Sequence, residues 1–188
     1  MSWILLEWKL KIINRPTYGD EIEIHTWARG ANKFFTYRDY EIYNNNELCA
    51  IATSKWALIN IETGKLARLT EELINCYKPE EKYVFPNEKI EKMEIPEKLD
   101  KMLEYTVVRR DIDLNKHMHN LYYLDLAYEA LPEKIYEERP FNNIRITYKK
   151  EIKLGDNICC SYARNGNKNI IEIKSKDYKI LHAIIELY

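Results

Sequence analysis

The sequence predicts an α+β protein made of two successive units, each based on a mainly antiparallel sheet. Most segments alternate apolar with charged residues, which is typical of strands. Residues 120–131 instead follow helical spacing. A pattern of turn and strand residues also occurs twice. Gly19-Asp20 precedes a strand ending at Trp27-Ala28-Arg29, and Gly155-Asp156 precedes one ending at Tyr162-Ala163-Arg164. The spacing within the two copies differs by one residue, which a β-bulge would absorb.

Composition excludes several classes of function. The 188 residues have a net charge of −1, which predicts no general affinity for nucleic acid or anionic membranes. No apolar run approaches the ~20 residues of a membrane span. The four cysteines include no Cys-x-x-Cys pair, which argues against a disulfide framework. The first residues lack the basic start and the cleavage site of a signal peptide, so we expect a cytoplasmic protein.

The first unit is predicted to span residues 1–75. Apolar residues from Leu5 to Ile12 begin a strand at once. Further strands are expected from Ile22 to an end at Trp27-Ala28-Arg29-Gly30, at 34–43 and at 48–60. Their turns are predicted at Asn44-Asn45-Asn46 and Thr63-Gly64. Thr70, followed by two glutamates, predicts a short helix.

A linker is predicted at 76–102, where Pro79, Pro86 and Pro96 are set among charges; a disordered tail is the alternative. The second unit would span 103–188. We expect Asn120 to cap its helix and Pro132 to end it. Four strands are predicted to follow: 143–152, 157–164, 168–176 and 179–188.

The two predicted units are unequal. The second has a strand, a polar motif and a helix before its remaining strands, whereas the first begins almost inside its sheet. A sheet with one apolar face needs a covering layer. We therefore expect the first unit to be incomplete, with its helix encoded upstream of Met1 or its cover supplied by another chain, for example in a homo-oligomer.

The strongest chemical signal is a polar residue at every second position before the predicted helix. In an extended segment Asp113, Asn115 and His117 would share one side. An imidazole exchanges protons near neutral pH, an amide can orient a carbonyl or water, and a carboxylate can hold the imidazole or activate water. Amides of a helix N-terminus could stabilise an anion beside them. A capping or surface role for His117 is the alternative.

A metal site is the other alternative for this segment. His117 and His119 are spaced as ligands could be, with Asp111 or Asp113 as a carboxylate ligand. No third histidine follows at helical spacing, so we expect no metal ion and no cofactor. The cysteines lie in strand-like segments, where a small buried hydrophobe is the usual role, so a cysteine nucleophile is disfavoured.

The motif resembles the signature of the acyl-acyl carrier protein (acyl-ACP) thioesterases. It reads Asp113-x-Asn115-x-His117-x-x-Asn120-x-x-Tyr123, preceded by Arg110-Asp111. The resemblance extends to the first half, through Gly19-Asp20, Thr26-Trp27, Arg38-Asp39 and Ala52-Thr53-Ser54-x-Trp56. It implies a double hotdog fold, in which each half wraps a curved antiparallel sheet around a helix. It also implies hydrolysis of the thioester that holds a fatty acyl chain on acyl carrier protein, in fatty acid biosynthesis.

The resemblance also implies site residues. Asp113, Asn115 and His117 would be catalytic, and Asn120 and Tyr123 would bind substrate. Glu151 takes the position of the family's catalytic glutamate, in the segment Tyr148-Lys149-Lys150-Glu151-Ile152. Ile152 replaces a family cysteine, which favours an activated water over a cysteine nucleophile. Simple strand alternation would put Glu151 on the face opposite Ile146 and Tyr148, so a bulge or the strand's end would have to redirect it.

The implied partners are acyl-loaded carrier protein and its fatty acyl thioester. Carrier protein is acidic, and basic residues flank the site: Arg109, Arg110, Lys116, Lys149, Lys150 and Lys153. With an incomplete first unit, we expect reduced activity. Three alternatives stay open: a non-catalytic acyl-binding or assembly module, a metal-dependent hydrolase, and a hotdog dehydratase. The acyl length and the choice between carrier protein and coenzyme A are also open.

Overall fold

The computed structural model describes residues 1–85 and 93–188, in two compact units, Met1–Glu91 and Lys92–Tyr188. Pro86, one of the prolines in the predicted linker, lies outside the described residues. Each unit is built on antiparallel strands, as the alternation of apolar and charged residues predicted.

The first unit has four strands in the spatial order β2-β3-β4-β1. Asn45 and Asn46 have φ values of 49° and 66°, which confirms the predicted asparagine turn between β3 and β4. Thr70 accepts a hydrogen bond at Oγ1 from Leu73 N (3.3 Å), so the predicted helix start is also confirmed. The elements are β1 (Ser2–Ile12), β2 (Ile22–Ala28), β3 (Phe35–Asn44), β4 (Glu47–Ile59) and α1 (Glu71–Cys76).

Part of the predicted linker is attached to the first sheet. Glu80 N donates to the carbonyl of Ala28 (2.9 Å), and Trp27 Nε1 donates to the carbonyl of Lys82 (2.8 Å). Val84 N donates to Oδ2 of Asp39 (3.0 Å), whose side chain is fully buried. Backbone groups of this segment therefore have specific partners, unlike those of a free tail.

The second unit has five strands in the spatial order β6-β9-β8-β7-β5. Isoleucines of β7, β8 and β9 supply its core; Ile158, Ile170, Ile173 and Ile185 are at most 1 % exposed. Helix α2 brings Ala127, also fully buried, against this core. The elements are β5 (Asp100–Thr106), a 3-10 turn (Arg109–Asp111), α2 (Tyr122–Glu129), α3 (Glu133–Glu137), β6 (Asn143–Tyr148), β7 (Asn157–Asn165), β8 (Lys168–Ser175) and β9 (Leu181–Leu187).

Three expectations for this unit were wrong in detail. Strand β5 begins at Asp100, inside the segment predicted as linker. Asn120 does not cap α2, because Leu121 occupies the cap position and the imidazole of His119 accepts the hydrogen bond from its amide. Strand β6 ends at Tyr148 rather than near Ile152, for a reason that bears directly on the site.

Candidate active site

The polar motif forms a tight turn rather than an extended segment. Ile112 and Met118 pair as an isolated antiparallel bridge, and within it Asp113 N donates to the carbonyl of His117 (2.9 Å). Lys116 N donates back to the carbonyl of Asp113 (3.0 Å), and Lys116 adopts a φ of +64°. The prediction that Asp113, Asn115 and His117 share one side of a strand was therefore wrong.

The Asp113 carboxylate holds this turn together. Its Oδ1 accepts hydrogen bonds from the backbone amides of Asn115 (2.8 Å) and His117 (3.3 Å). Its Oδ2 accepts one from the Asn115 side-chain amide (3.3 Å). An aspartate that bonds to backbone amides two and four residues ahead stabilises a turn in place of a strand. Asp113 thus positions the other two motif residues.

His117 lies next to Glu151, which is distant in sequence. The His117 Nε2 and Glu151 Oε2 atoms are 3.6 Å apart, and the two side chains are 39 % and 42 % exposed. The residues that follow them connect the two segments: Met118 N donates a hydrogen bond to the carbonyl of Ile152 (2.8 Å). Met118 and Ile152 are buried. The buried pair thus fixes the two segments and places the exposed pair side by side.

The end of strand β6 redirects Glu151. Lys149 N and Lys150 N both donate to the carbonyl of His182, at 2.8 and 3.3 Å. Two successive amides on one acceptor end the regular ladder, so the alternation that runs to Tyr148 does not continue to Glu151. The expected conflict between strand alternation and a role for Glu151 is removed in this way.

Positive charges hold Glu151 in its ionised form. Burial raises the pKa of its carboxyl, but a hydrogen bond from Lys153 and the charges of His117, Lys153 and Lys150 outweigh this and lower the pKa below its ordinary value. Lys153 Nζ lies 3.2 Å from Oε1 of Glu151. Glu151 is therefore a carboxylate at neutral pH, with one oxygen toward Lys153 and the other toward His117.

The two residues expected to bind substrate have different surroundings. Asn120 is exposed, and its carbonyl accepts a hydrogen bond from the Tyr148 hydroxyl (3.1 Å). Tyr123 is only 3 % exposed and its ring packs edge-on against Tyr148, with ring centres 5.1 Å apart. Burial raises the pKa of its hydroxyl well above the ordinary range. In this structure Tyr123 anchors α2 beside the site rather than facing solvent.

Sequence reasoning missed two supports of the motif. The buried Asp111 carboxylate accepts hydrogen bonds at Oδ2 from the Tyr105 hydroxyl and Val108 N, both at 2.8 Å. His119 accepts from Leu121 N at its Nδ1 (3.2 Å) and from Tyr122 N at its carbonyl (3.0 Å). Those first helical amides, expected to stabilise an anion, are thus already engaged. The acidic residue after Arg110 was visible in the sequence, but nothing there indicated that it is buried.

Two features of the described residues bear on the remaining alternatives. Within residues 1–85 and 93–188, no three histidine, cysteine or acidic side chains cluster as metal ligands would. His117 and His119, the residues of the metal alternative, instead contact Glu151 and Leu121 respectively. None of the helices described there has the length and apolarity needed to span a membrane.

Curated proteins with related sequences are thioesterases. Oleoyl-acyl carrier protein thioesterase 2, chloroplastic, of Arabidopsis thaliana is 28% identical over 167 residues, 83% of this chain and 46% of the relative. A chloroplastic palmitoyl-acyl carrier protein thioesterase of Cuphea hookeriana is 26% identical over 162 residues, 80% of this chain and 38% of the relative. The chain thus spans about half the length of the first relative and less of the second.

Solved structures share the fold. An acyl-ACP thioesterase from Bacteroides thetaiotaomicron superimposes with a TM-score of 0.86 at 21% identity, covering 99% of this chain and 75% of that one. The 12:0-ACP thioesterase from Umbellularia californica gives 0.81 at 18% identity, with 99% and 74% coverage. These similarities, with the antiparallel sheets described above, confirm the predicted α+β double hotdog fold.

Family profiles match both halves of the chain. The acyl-ACP thioesterase N-terminal domain matches residues 1–77, and the acyl-ACP thioesterase C-terminal domain matches residues 94–186. The second match contains the His117 turn and Glu151, and the first contains the sheet β2-β3-β4-β1. From these two matches and the related sequences, the chain belongs to the acyl-ACP thioesterase family.

Proposed function

We propose that this chain hydrolyses fatty acyl thioesters of acyl carrier protein, with His117 and Glu151 as the reacting pair. The observation that carries the proposal is their approach to 3.6 Å on an exposed surface, although they are distant in sequence. Family membership supplies the substrate class, and the pair supplies the proton transfer that hydrolysis needs. The protein would release a free fatty acid and the carrier's thiol.

In the proposed mechanism His117 is the base. The lowered pKa of Glu151 makes its carboxylate a weak proton acceptor at neutral pH, but a stable negative charge. That charge orients the imidazole through Nε2 and stabilises the imidazolium formed when the other ring nitrogen takes a proton from water. The hydroxide attacks the thioester carbonyl, the carbon–sulfur bond breaks, and the imidazolium returns the proton to the departing thiolate.

The oxyanion of the tetrahedral intermediate needs a hydrogen-bond donor. The Asn115 amide is exposed and uses one N–H on Asp113 Oδ2 (3.3 Å), and an amide nitrogen carries a second hydrogen. We assign that second N–H to the oxyanion. Asp113, with both oxygens engaged within the turn, would position Asn115 and His117 rather than activate water.

The proposal is tested by thiol release from medium- and long-chain acyl carrier protein. We expect His117→Ala to lower kcat by roughly 10²-fold, as the loss of an acid–base group does. Glu151→Gln should lower kcat by a similar factor of roughly 10², because the imidazolium loses the charge that stabilises it. The chain offers a matched control, since His25 and Glu23 form another exposed pair, with Nε2 and Oε1 2.6 Å apart. His25→Ala and Glu23→Gln should leave kcat unchanged.

Two results would contradict the proposal. Unchanged thiol release in both site variants would remove His117 and Glu151 from the mechanism. Saturable binding of acyl carrier protein without any thiol release would instead favour the non-catalytic acyl-binding module. Measuring hydrolysis of acyl-coenzyme A in parallel shows which carrier the protein prefers. We expect acyl carrier protein, because the basic residues around the site favour an acidic protein surface. The cytoplasmic location and self-association stay predictions.

A further inference from the structure

His182 occupies an irregular position in strand β9, beside the candidate site. Ile173 pairs with Ala183 and Lys174 pairs with Leu181, so His182 falls between two paired residues with no partner on β8. This is a β-bulge, a feature that redirects side chains near active sites. His182 is only 4 % exposed, and the mechanism proposed above gives it no role.

Both the backbone and the ring of His182 hold the segment that leads to Glu151. Its carbonyl accepts from Lys149 N (2.8 Å) and Lys150 N (3.3 Å). Its ring Nδ1 lies 3.1 Å from the carbonyl oxygen of Lys150. Because a carbonyl oxygen can only accept, Nδ1 must carry the hydrogen. Lys150, the residue immediately before Glu151, is thus held by His182 at both its amide and its carbonyl.

The first unit shows that the backbone part of this arrangement does not need a histidine. There Ile13 N and Asn14 N both donate to the carbonyl of Cys49, at 2.9 and 3.1 Å. Cys49 precedes Ala50, which pairs with the last residue of β1, just as His182 precedes Ala183, which pairs with the last residue of β6. The hydrogen bond from the ring is what the second unit adds.

We propose that His182 is a positioning residue for Glu151, and that its Nδ1–H fixes the Lys150 carbonyl so that the Glu151 carboxylate faces His117. The inference rests on the proposed function. Without the ring, the paired amides of Lys149 and Lys150 remain, but the peptide that joins Lys150 to Glu151 loses its fixed carbonyl. The Glu151 side chain then samples positions away from His117, and displacements of this kind are costly in catalysis.

The first unit suggests the decisive variant. His182→Cys introduces the residue that the equivalent position of the first unit already has, so the fold should persist. Thiol release should fall by roughly 10- to 100-fold in kcat, with KM little changed, because geometry and not binding is lost. His182→Asn should restore most of kcat, since its amide N–H lies near the place of the imidazole Nδ1–H. Thermal unfolding of each variant measures the folded fraction.

Glu151→Gln, measured beside them, separates this inference from the proposed function. A low kcat in Glu151→Gln with normal kcat in His182→Cys would overturn the positioning role alone. Normal kcat in Glu151→Gln would overturn the role of Glu151 in the proposed mechanism, and this inference with it. Equal kcat per folded molecule in His182→Cys and His182→Asn would also overturn the inference, because only the asparagine keeps the donor.

A measurement without turnover gives a second test. The carboxyl pKa of Glu151, followed by ¹³C NMR on the full chain, should lie below the ordinary glutamate value in the wild type and in His182→Asn. In His182→Cys it should move upward, because the side chain loses its fixed place among His117, Lys150 and Lys153. No upward movement would overturn the positioning role even if turnover is too slow to measure.

Discussion

The two units of the chain build the same strand end and use it differently. Ile13 and Asn14 both donate to the Cys49 carbonyl in the first unit, as Lys149 and Lys150 do to a carbonyl in the second. The residue that follows the paired amides is Arg15 in one unit and Glu151 in the other. One backbone frame thus presents a cation in the first unit and the candidate catalytic carboxylate in the second.

The glycine–aspartate turns that follow these strand ends also have matching hydrogen bonds. Thr17 N donates to Oδ2 of Asp20 at 2.8 Å, and Lys153 N donates to Oδ2 of Asp156 at the same distance. The repeated sequence pattern therefore reflects a repeated backbone geometry. The two units therefore share a backbone geometry and differ in a few side chains, among them the candidate catalytic Glu151.

The largest expected effect comes from giving the second unit the first unit's residue. Glu151→Arg would put a positive charge near Lys153 and His117, where the present carboxylate is stabilised by positive charge. We expect kcat for thiol release to fall by at least ~10²-fold, and further than in Glu151→Gln, because repulsion adds to the lost carboxylate.

Its control makes the same change at the other histidine–glutamate pair. Glu23→Arg alters an exposed position of β2 and should leave kcat unaffected. Near-normal turnover in Glu151→Arg would mean that catalysis does not need a carboxylate at this strand end. The proposed difference between the two units would then be wrong.

A second comparison concerns two buried carboxylates that each hold a neighbouring segment. Asp39 accepts from Val84 N in the first unit (3.0 Å), and Asp111 accepts from Val108 N and Tyr105 in the second. Asp39→Ala and Asp111→Ala each remove a buried carboxylate together with the hydrogen bonds it accepts, so each should lower the free energy of unfolding by about 1–3 kcal/mol. Denaturant unfolding measures this.

Turnover distinguishes the two aspartates. Only Asp111→Ala should also lower kcat per folded molecule, because Asp111 precedes the His117 turn. An equal loss of kcat in Asp39→Ala would mean that turnover follows stability, and not the position of the motif.

Sequence patterns predicted the strands and the duplication because these depend on alternation and on turn residues. They mispredicted the motif, because spacing alone ignores how a side chain competes for backbone amides. The Asp113 carboxylate bonds to the Asn115 and His117 amides and folds the segment into a turn. Likewise the His119 imidazole, not Asn120, receives the Leu121 amide. Both are local contacts of short polar side chains.

The direction of the Glu151 side chain could not be predicted from the sequence, for a different reason. Its direction depends on a bulge in β9 and on the His182 carbonyl, which belong to a strand much later in the chain. The resemblance to the family named Glu151 as a site residue, and alternation argued against it. Only the three-dimensional pairing of β6 with β9 removes the conflict.

A smaller effect is expected at the two turn glycines. Gly19 and Gly155 have φ values of +95° and +85°, a region that alanine adopts only with strain, and no neighbouring atom lies close enough for a methyl group to clash. Gly19→Ala and Gly155→Ala should therefore each cost about 1 kcal/mol of unfolding free energy. Unequal costs in denaturant unfolding would contradict the equivalence of the two turns.

The smallest effect concerns Lys153, which stands where the first unit has Thr17. Lys153 Nζ lies 3.2 Å from Glu151 Oε1, and its hydrogen bond is the largest of the contributions that lower the Glu151 pKa. In Lys153→Met the pKa of the Glu151 carboxyl should rise, because a hydrogen bond and a positive charge beside it are lost. At neutral pH, where Glu151 stays ionised, kcat should change little. Lys176→Met removes a lysine that pairs instead with Glu104 (3.1 Å) and should leave the Glu151 pKa in place. Titration of the Glu151 carboxyl by ¹³C NMR measures both variants, and an unchanged pKa in Lys153→Met would mean that Lys153 does not stabilise the Glu151 carboxylate.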